Sequence, residues 1–219
     1  MDHAIRLLFA LLLLSVAAPQ PRADASHRAG TWQVSLNPMY AKSALIRFDG
    51  GAEADLNARS SFGFGFGYNL NEQWELGLDM GSGSAGYTGT RIGESGTRER
   101  FSASYYISYF NLGASFNLLK SRLTPFVSGN LGWSYIDSGI PTGDVGEICW
   151  WDPWWGWICG PYARTYTDTK WHYGADLGLR FDVTRAVFLK GAIGQTWIDF
   201  DNAGDTTFTN YRLSLGFMF

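Results

Sequence analysis

Apolar and polar side chains alternate along much of this chain, and the alternation is clearest in its last segment, Thr209 to Phe219. A period of two residues is that of a β-strand, in which successive side chains point to opposite faces. The same period recurs through the preceding sequence and predicts an all-β protein. In the last segment the apolar face consists of Tyr211, Leu213, Leu215, Phe217 and Phe219.

The alternation divides the chain into predicted strands whose connections fall into two length classes. The eight predicted strands are residues 30–40, 59–69, 73–82, 99–118, 123–137, 167–182, 186–200 and 207–219. Short connections at 69–73, 119–122 and 182–186 alternate with longer ones at 41–58, 83–98, 138–166 and 201–206. Short turns at one end and longer loops at the other, with an even number of strands, suit a closed antiparallel barrel.

The alternation alone does not say which face of a strand is inside the protein. The positions of the glycine residues distinguish between a membrane barrel and a soluble β-sandwich. A sandwich buries its apolar faces and turns polar faces to water. In residues 62–68 (FGFGFGY), however, the face opposite the aromatic rings is glycine. The interior of an eight-stranded barrel is just wide enough to be filled by side chains, so glycine there makes room for larger neighbours. The sequence therefore predicts a transmembrane, eight-stranded, antiparallel up-and-down β-barrel.

Charged residues of both signs lie on the predicted lumen face when the same parity is followed through the other strands. A buried charge is tolerated only when it is paired and hydrogen-bonded. We therefore predict that a network of ion pairs fills part of the lumen. Its predicted members are Glu75, Asp79, Asp176, Arg180, Lys190 and Arg212.

The N-terminus has the pattern of a secretory signal peptide. Arg6 precedes an apolar run from Leu7 to Ala18, and small residues follow at Ala23 and Ala25. An uncleaved anchor helix is the alternative, but the run is shorter than the roughly 20 residues that a membrane-spanning helix needs. We predict a signal peptide at 1–25 and a single barrel domain at 26–219.

The export signal, the alternating connections and the last strand together resemble the small bacterial outer-membrane barrels of the OmpA, OmpX and OmpW type. The terminal Phe219 and its aromatic alternation resemble the assembly signal of such barrels. The resemblance implies a location in the bacterial outer membrane, with periplasmic termini and extracellular long loops. It also implies contact with membrane lipid and lipopolysaccharide, and recognition of the final strand by the barrel-assembly machinery.

The only two cysteines, Cys149 and Cys159, lie in one tryptophan-rich segment of the longest connection, 138–166. An exported chain passes through an oxidising compartment, so we predict a local disulfide. A metal site would need more ligands than the neighbouring residues supply. The tryptophans between them form a predicted contact patch that could rest on the outer leaflet, bind a protein or a glycan, or plug the barrel mouth. They are Trp150, Trp151, Trp154, Trp155 and Trp157.

Charge and histidine content restrict the function further. A net charge of -3 gives no sign of a nucleic-acid partner. His172 lies on the lumen face, and the spacing of its neighbours supplies no nucleophile, so we predict no catalytic, cofactor or metal site. The predicted function is a structural or surface-interaction role through the extracellular loops, chiefly 138–166. The OmpW resemblance implies the alternative of a narrow conduit for small apolar molecules, and a lipid-modifying enzyme ranks third.

Overall fold

The structure, a computed structural model, describes residues 25–49, 51–92, 97–200 and 203–219. The predicted signal peptide lies outside the described residues except for Ala25, so cleavage after that residue stays a prediction. Among the residues that are described, no helix has the length and apolar character needed to cross a membrane.

The described residues form antiparallel strands, preceded by a single 3-10 turn at Ser26–Arg28. The strands are β1 (Trp32–Ala41), β2 (Ala44–Arg47), β3 (Glu53–Leu56), β4 (Arg59–Asn69), β5 (Trp74–Ile92), β6 (Arg98–Asn117), β7 (Leu123–Asp152), β8 (Gly156–Asp182), β9 (Val187–Phe200) and β10 (Gly204–Met218).

Eight of these strands close into a ring. Around the ring the order is β1, β4, β5, β6, β7, β8, β9 and β10. The last strand then pairs with the first, with Val34 opposite Phe217 and Leu36 opposite Leu215. Closure leaves no unpaired edge in the ring, which removes the aggregation risk of an exposed strand edge. The predicted eight-stranded barrel is confirmed.

Two of the predicted long connections are largely strand. β5 and β6 continue to Ile92 and Arg98, and β7 and β8 continue to Asp152 and Gly156. The sequence pattern does not predict these extensions, because the alternation between an apolar and a polar face fades in residues 83–98 and 138–166. The first connection contains the short β2–β3 hairpin, which pairs with the outer part of β5, Leu56 lying opposite Tyr87.

The barrel turns its apolar face outward and its small residues inward. Phe64 is 57% exposed, and Phe62 and Phe66 are similarly uncovered. On the lumen side, a methyl group added to Gly63 would lie 2.6 Å from the hydroxyl oxygen of Tyr109. Glycine at this position therefore makes room for a large lumen side chain, as predicted.

Candidate functional site

The lumen is closed by ion pairs at the end of the barrel that carries the short turns, which we call the turn end. Arg180 is fully buried and donates from Nη1 to Glu75 Oε2 at 2.8 Å and from Nε to Asp182 Oδ1 at 2.9 Å. Lys190 Nζ lies 2.6 Å from Glu75 Oε1. Three of the predicted network residues, Glu75, Arg180 and Lys190, are thus brought together here.

Arg28 completes this cluster from outside the ring of strands. Its Nε lies 2.5 Å from Asp182 Oδ2, and its side chain is fully buried. It also donates to the carbonyl oxygens of Glu72 and Ser121, at 3.3 Å and 2.7 Å, and so links two of the short turns. Arg28 is not among the predicted network residues, because it precedes the first predicted strand, where no period assigns its side chain to a face.

The other three predicted network residues form a separate layer in the middle of the lumen. Arg212 Nη1 is 3.7 Å from Asp79 Oδ2, and Asn37 donates to Asp79 Oδ1 at 2.6 Å. Asp176 accepts hydrogen bonds from Ser128 and Asn130, both at 3.3 Å. The predicted residues therefore lie in two layers, one around Arg180 and one around Asp79 and Asp176.

His172 lies in the same middle part of the lumen, and its two hydrogen-bond partners are neutral groups. Its Nδ1 is 2.9 Å from Ser134 Oγ, and its Nε2 contacts Asn111 Oδ1. Within the described residues, no carboxylate lies within ion-pair distance of the ring. The arrangement offers no acid to orient His172 as a catalytic base.

An apolar cavity of about 310 Å³ occupies the opposite end of the lumen, which we call the loop end. The β2–β3 hairpin supplies part of its wall, because it continues the sheet beyond β1 and β4. This cavity is not predictable from the sequence pattern, since no period links the hairpin to β5. Its apolar lining includes Ile46, Phe48, Leu56, Phe101, Tyr105, Ile107, Ile136, Ile140, Ile198, Phe200 and Phe208.

A long two-stranded ribbon rises from the loop end. β7 pairs with β6 only as far as Asp137, and β8 begins to pair with β9 only at His172. Beyond these points β7 and β8 pair with each other up to Asp152 and Gly156, with irregular register near Pro141. Counted along β8, where the ribbon runs from Thr167 to Gly156, a rise of about 3.3 Å per residue gives a reach of up to roughly 35 Å beyond the Asp137–Thr167 pair.

The tip of the ribbon holds the tryptophan-rich segment. A disulfide joins Cys149 to Cys159 across the two strands. Trp154 is 88% exposed and Trp155 is 78% exposed, and Trp151 and Trp157 are also exposed. The side chain of Trp150 lies outside the described part of the structure. The plug arrangement is wrong for the four described rings, because a plug would bury them in the barrel mouth.

Comparison with known proteins identifies the family. The sequence matches the family model for the outer membrane protein beta-barrel domain over residues 8–219. The chain belongs to this family. It is therefore a protein of the bacterial outer membrane.

Solved structures agree with this assignment at the level of the fold. Neisserial surface protein A is 13% identical, with a TM-score of 0.56 over 87% of this chain and 99% of that chain. OprG from Pseudomonas aeruginosa is 14% identical, with a TM-score of 0.52 over 90% and 99%. AlkL is 15% identical, with a TM-score of 0.54 over 92% and 96%. A comparison with curated protein sequences finds no match.

Membership in the family orients the barrel. Outer-membrane barrels have short periplasmic turns and longer extracellular loops. In this outer-membrane β-barrel the turn end and its ion-pair cluster therefore face the periplasm. The apolar cavity and the ribbon are at the extracellular end.

The final strand of this outer-membrane β-barrel presents its apolar face outward. Leu213, Leu215, Phe217 and Phe219 are each about half exposed, as residues in contact with lipid would be. Tyr211, on the same face, is partly buried. That these residues also act as an assembly signal for the barrel-assembly machinery stays a prediction.

Proposed function

We propose that this outer-membrane β-barrel is a surface-interaction protein whose contact element is the ribbon tip, and that its partner is an external protein or glycan. The observation that carries the proposal is the set of exposed tryptophan rings at the end of a ribbon that continues beyond the ring of strands. Tryptophan is enriched among the residues that dominate binding energy at interfaces. The disulfide restricts the tip before binding, which lowers the entropy lost on association.

Lipid is the rival partner, because amphipathic aromatic rings also favour the membrane interface. The reach of the ribbon favours an external partner over the cell's own outer leaflet. A hairpin that is anchored in the barrel wall and is up to roughly 35 Å long is able to reach a partner well beyond the membrane surface. Binding to lipid vesicles is measured separately, so that a lipid partner can be told apart from a protein or a glycan.

Changing Trp154 and Trp155 together to alanine is expected to reduce attachment by about tenfold or more, because these are the most exposed rings of the tip. Attachment is measured with cells that display the full chain, on panels of immobilised proteins and glycans. The matched control changes Trp32 and Trp74, which are half exposed on the barrel wall, to alanine. Equal attachment by wild type and the tip variant would contradict the proposal.

Co-sedimentation with phosphatidylcholine vesicles separates the two partner classes. Purified barrel in nanodiscs is used so that its own membrane face is covered. If the tip variant loses vesicle binding while attachment to the panels is unchanged, the tip binds lipid and the proposed partner class is wrong. If attachment to a protein or glycan is lost and vesicle binding is absent throughout, the proposal stands.

Replacing Cys149 and Cys159 with serine is expected to loosen the tip without unfolding the barrel. The disulfide closes a short loop at the far end of the ribbon. In the chain-entropy account, its loss raises the conformational entropy of the opened tip and so destabilises the local fold by about 2–3 kcal/mol. Proteolysis within residues 149–159 should become several-fold faster. The barrel itself should remain folded, which the gel mobility of unboiled samples measures, and a variant that migrates as unfolded protein would contradict this expectation.

Uptake of small apolar molecules is a second candidate function, supported by the cavity at the extracellular end. The ion pairs of Arg180 and Arg28 oppose straight passage to the periplasm, because an apolar molecule would have to displace buried charges. Entry into the cavity, as distinct from passage through the barrel, is the part of this function that the geometry supports.

A further inference from the structure

Arg59, the first residue of β4, is a buried cation in the wall of the extracellular cavity. Arg59 is only 7% exposed, and it lines both the apolar cavity and the polar part of the lumen below it. Its guanidinium carbon lies 5.7 Å from the centre of the Tyr105 ring, and its Nη1 lies 3.5 Å from the Tyr105 hydroxyl. These neutral contacts do not balance a buried positive charge.

Arg59 also lacks an anionic partner in the described part of the protein. Its Nε atom has no hydrogen-bond acceptor there, and no carboxylate lies within ion-pair distance. The carboxylate that shares the cavity, Glu53, is 39% exposed at the rim and lies 3.6 Å from Arg47. Asp79, deeper in the lumen, is paired with Arg212. Glu53 and Asp79 are therefore each paired with another arginine and not with Arg59.

On the side of the cavity, apolar side chains surround Arg59. Ile107, Ile198 and Phe208 are buried and line both the cavity and the space beside the guanidinium. A volume of about 310 Å³ lies at the lower end of the range of small-molecule sites. The cavity thus combines apolar walls with a buried cation for which the described residues supply no anionic partner.

We propose that this cavity binds a small carboxylic acid with an apolar body, of the medium-chain fatty acid or aromatic acid class. The carboxylate accepts hydrogen bonds from the guanidinium of Arg59. Arginine commonly binds a carboxylate in this way through two parallel hydrogen bonds. The hydrocarbon body fills the apolar part of the cavity. This site goes beyond the surface-interaction role, and it requires neither the ribbon tip nor passage of the ligand through the barrel.

The test compares an acid with its neutral counterpart. Equilibrium dialysis measures the binding of octanoate and of octanol to the full barrel in nanodiscs, with empty nanodiscs subtracted. The wild type should bind octanoate about tenfold or more tightly than octanol, because a hydrogen-bonded charge adds to the same apolar contact. Changing Arg59→Met should abolish this preference and leave octanol binding within about twofold.

Three further variants keep the test informative. Arg47→Met removes a cation from the cavity rim and should leave the preference for octanoate unchanged. Arg59→Lys keeps the charge and should retain part of the preference, which guards against misfolding of Arg59→Met. Ala54→Phe places a ring in the cavity from β3 and should weaken both ligands together.

Two results would overturn the proposal. One is a wild type that binds octanoate no more tightly than octanol. The other is a folded Arg59→Met variant that still prefers the acid. Because the tip variant Trp154→Ala/Trp155→Ala keeps the cavity intact, it should bind octanoate normally, so failure of the acid site and failure of the surface-interaction proposal are distinguishable.

Discussion

Replacing Arg180 with alanine is expected to destabilise the folded barrel by about 3–5 kcal/mol. The guanidinium pairs with Glu75 and Asp182 in a fully buried position, so its removal leaves two carboxylates in the lumen with fewer partners. Removing one partner of a buried ion pair destabilises the fold by more than the intact pair stabilises it, because the remaining charge is buried without a partner. Urea unfolding in lipid vesicles measures the change. Gel mobility of unboiled samples provides a second readout, since a folded barrel resists detergent and migrates differently.

Two companion variants separate this effect from a general loss of positive charge. Arg185→Ala removes an arginine that is exposed in the turn between β8 and β9, and it should change the free energy of unfolding by less than about 0.5 kcal/mol. The double variant Arg180→Ala/Glu75→Ala should cost less than the sum of the two single changes, because the second change removes a charge that the first left unpaired. Strict additivity would contradict coupling between these residues.

The two-residue period of a strand fixes the face of each of its residues. This period predicted that Glu75, Arg180 and Lys190 face the lumen. It could not divide the six charged residues into two layers. Their height along the barrel depends on the register between strands, and the sequence pattern does not contain that register. Arg28 was missed for a different reason, since its contacts with Asp182 and two turns are made by a segment outside the strands.

The extracellular end was less predictable than the membrane-spanning part. Within the membrane one face of each strand meets lipid, which imposes the alternation seen in residues 62–68. Outside the membrane, neither face of the β7–β8 ribbon meets lipid, so the alternation is not imposed there. The segment 138–166, which was predicted as a loop, is mostly strand. The cavity depends on the pairing of β3 with β5, a long-range contact that leaves no periodic signal. Arg59 lies in a strand, as predicted, but its burial with no acidic partner among the described residues follows only from that tertiary arrangement.

Gly132→Ala is expected to destabilise the barrel almost as much as Arg180→Ala, by about 3 kcal/mol, the upper end of the usual range for overpacking. A methyl group on Gly132 would overlap the backbone carbonyl oxygen of Phe110 and would lie 2.9 Å from Asn111 Oδ1. The carbonyl belongs to β6, which pairs with β7 from Tyr106 to Asn117, so it cannot move without disturbing the ladder. Urea unfolding in lipid vesicles measures the loss.

Gly129→Ala is the matched control for Gly132→Ala, because it makes the same change in the same strand on the opposite, exposed face. The nearest atom to a methyl group there is the carbonyl oxygen of Gly174, at 4.0 Å, so the site has space. Unfolding of this variant should differ from wild type by less than about 0.5 kcal/mol, with a slight gain if the reduced freedom of the unfolded chain dominates. Equal losses in both variants would show that alanine is disfavoured in β7 generally. A loss confined to Gly132→Ala assigns the cost to the lumen face, where glycine lets the backbone of β6 approach closely.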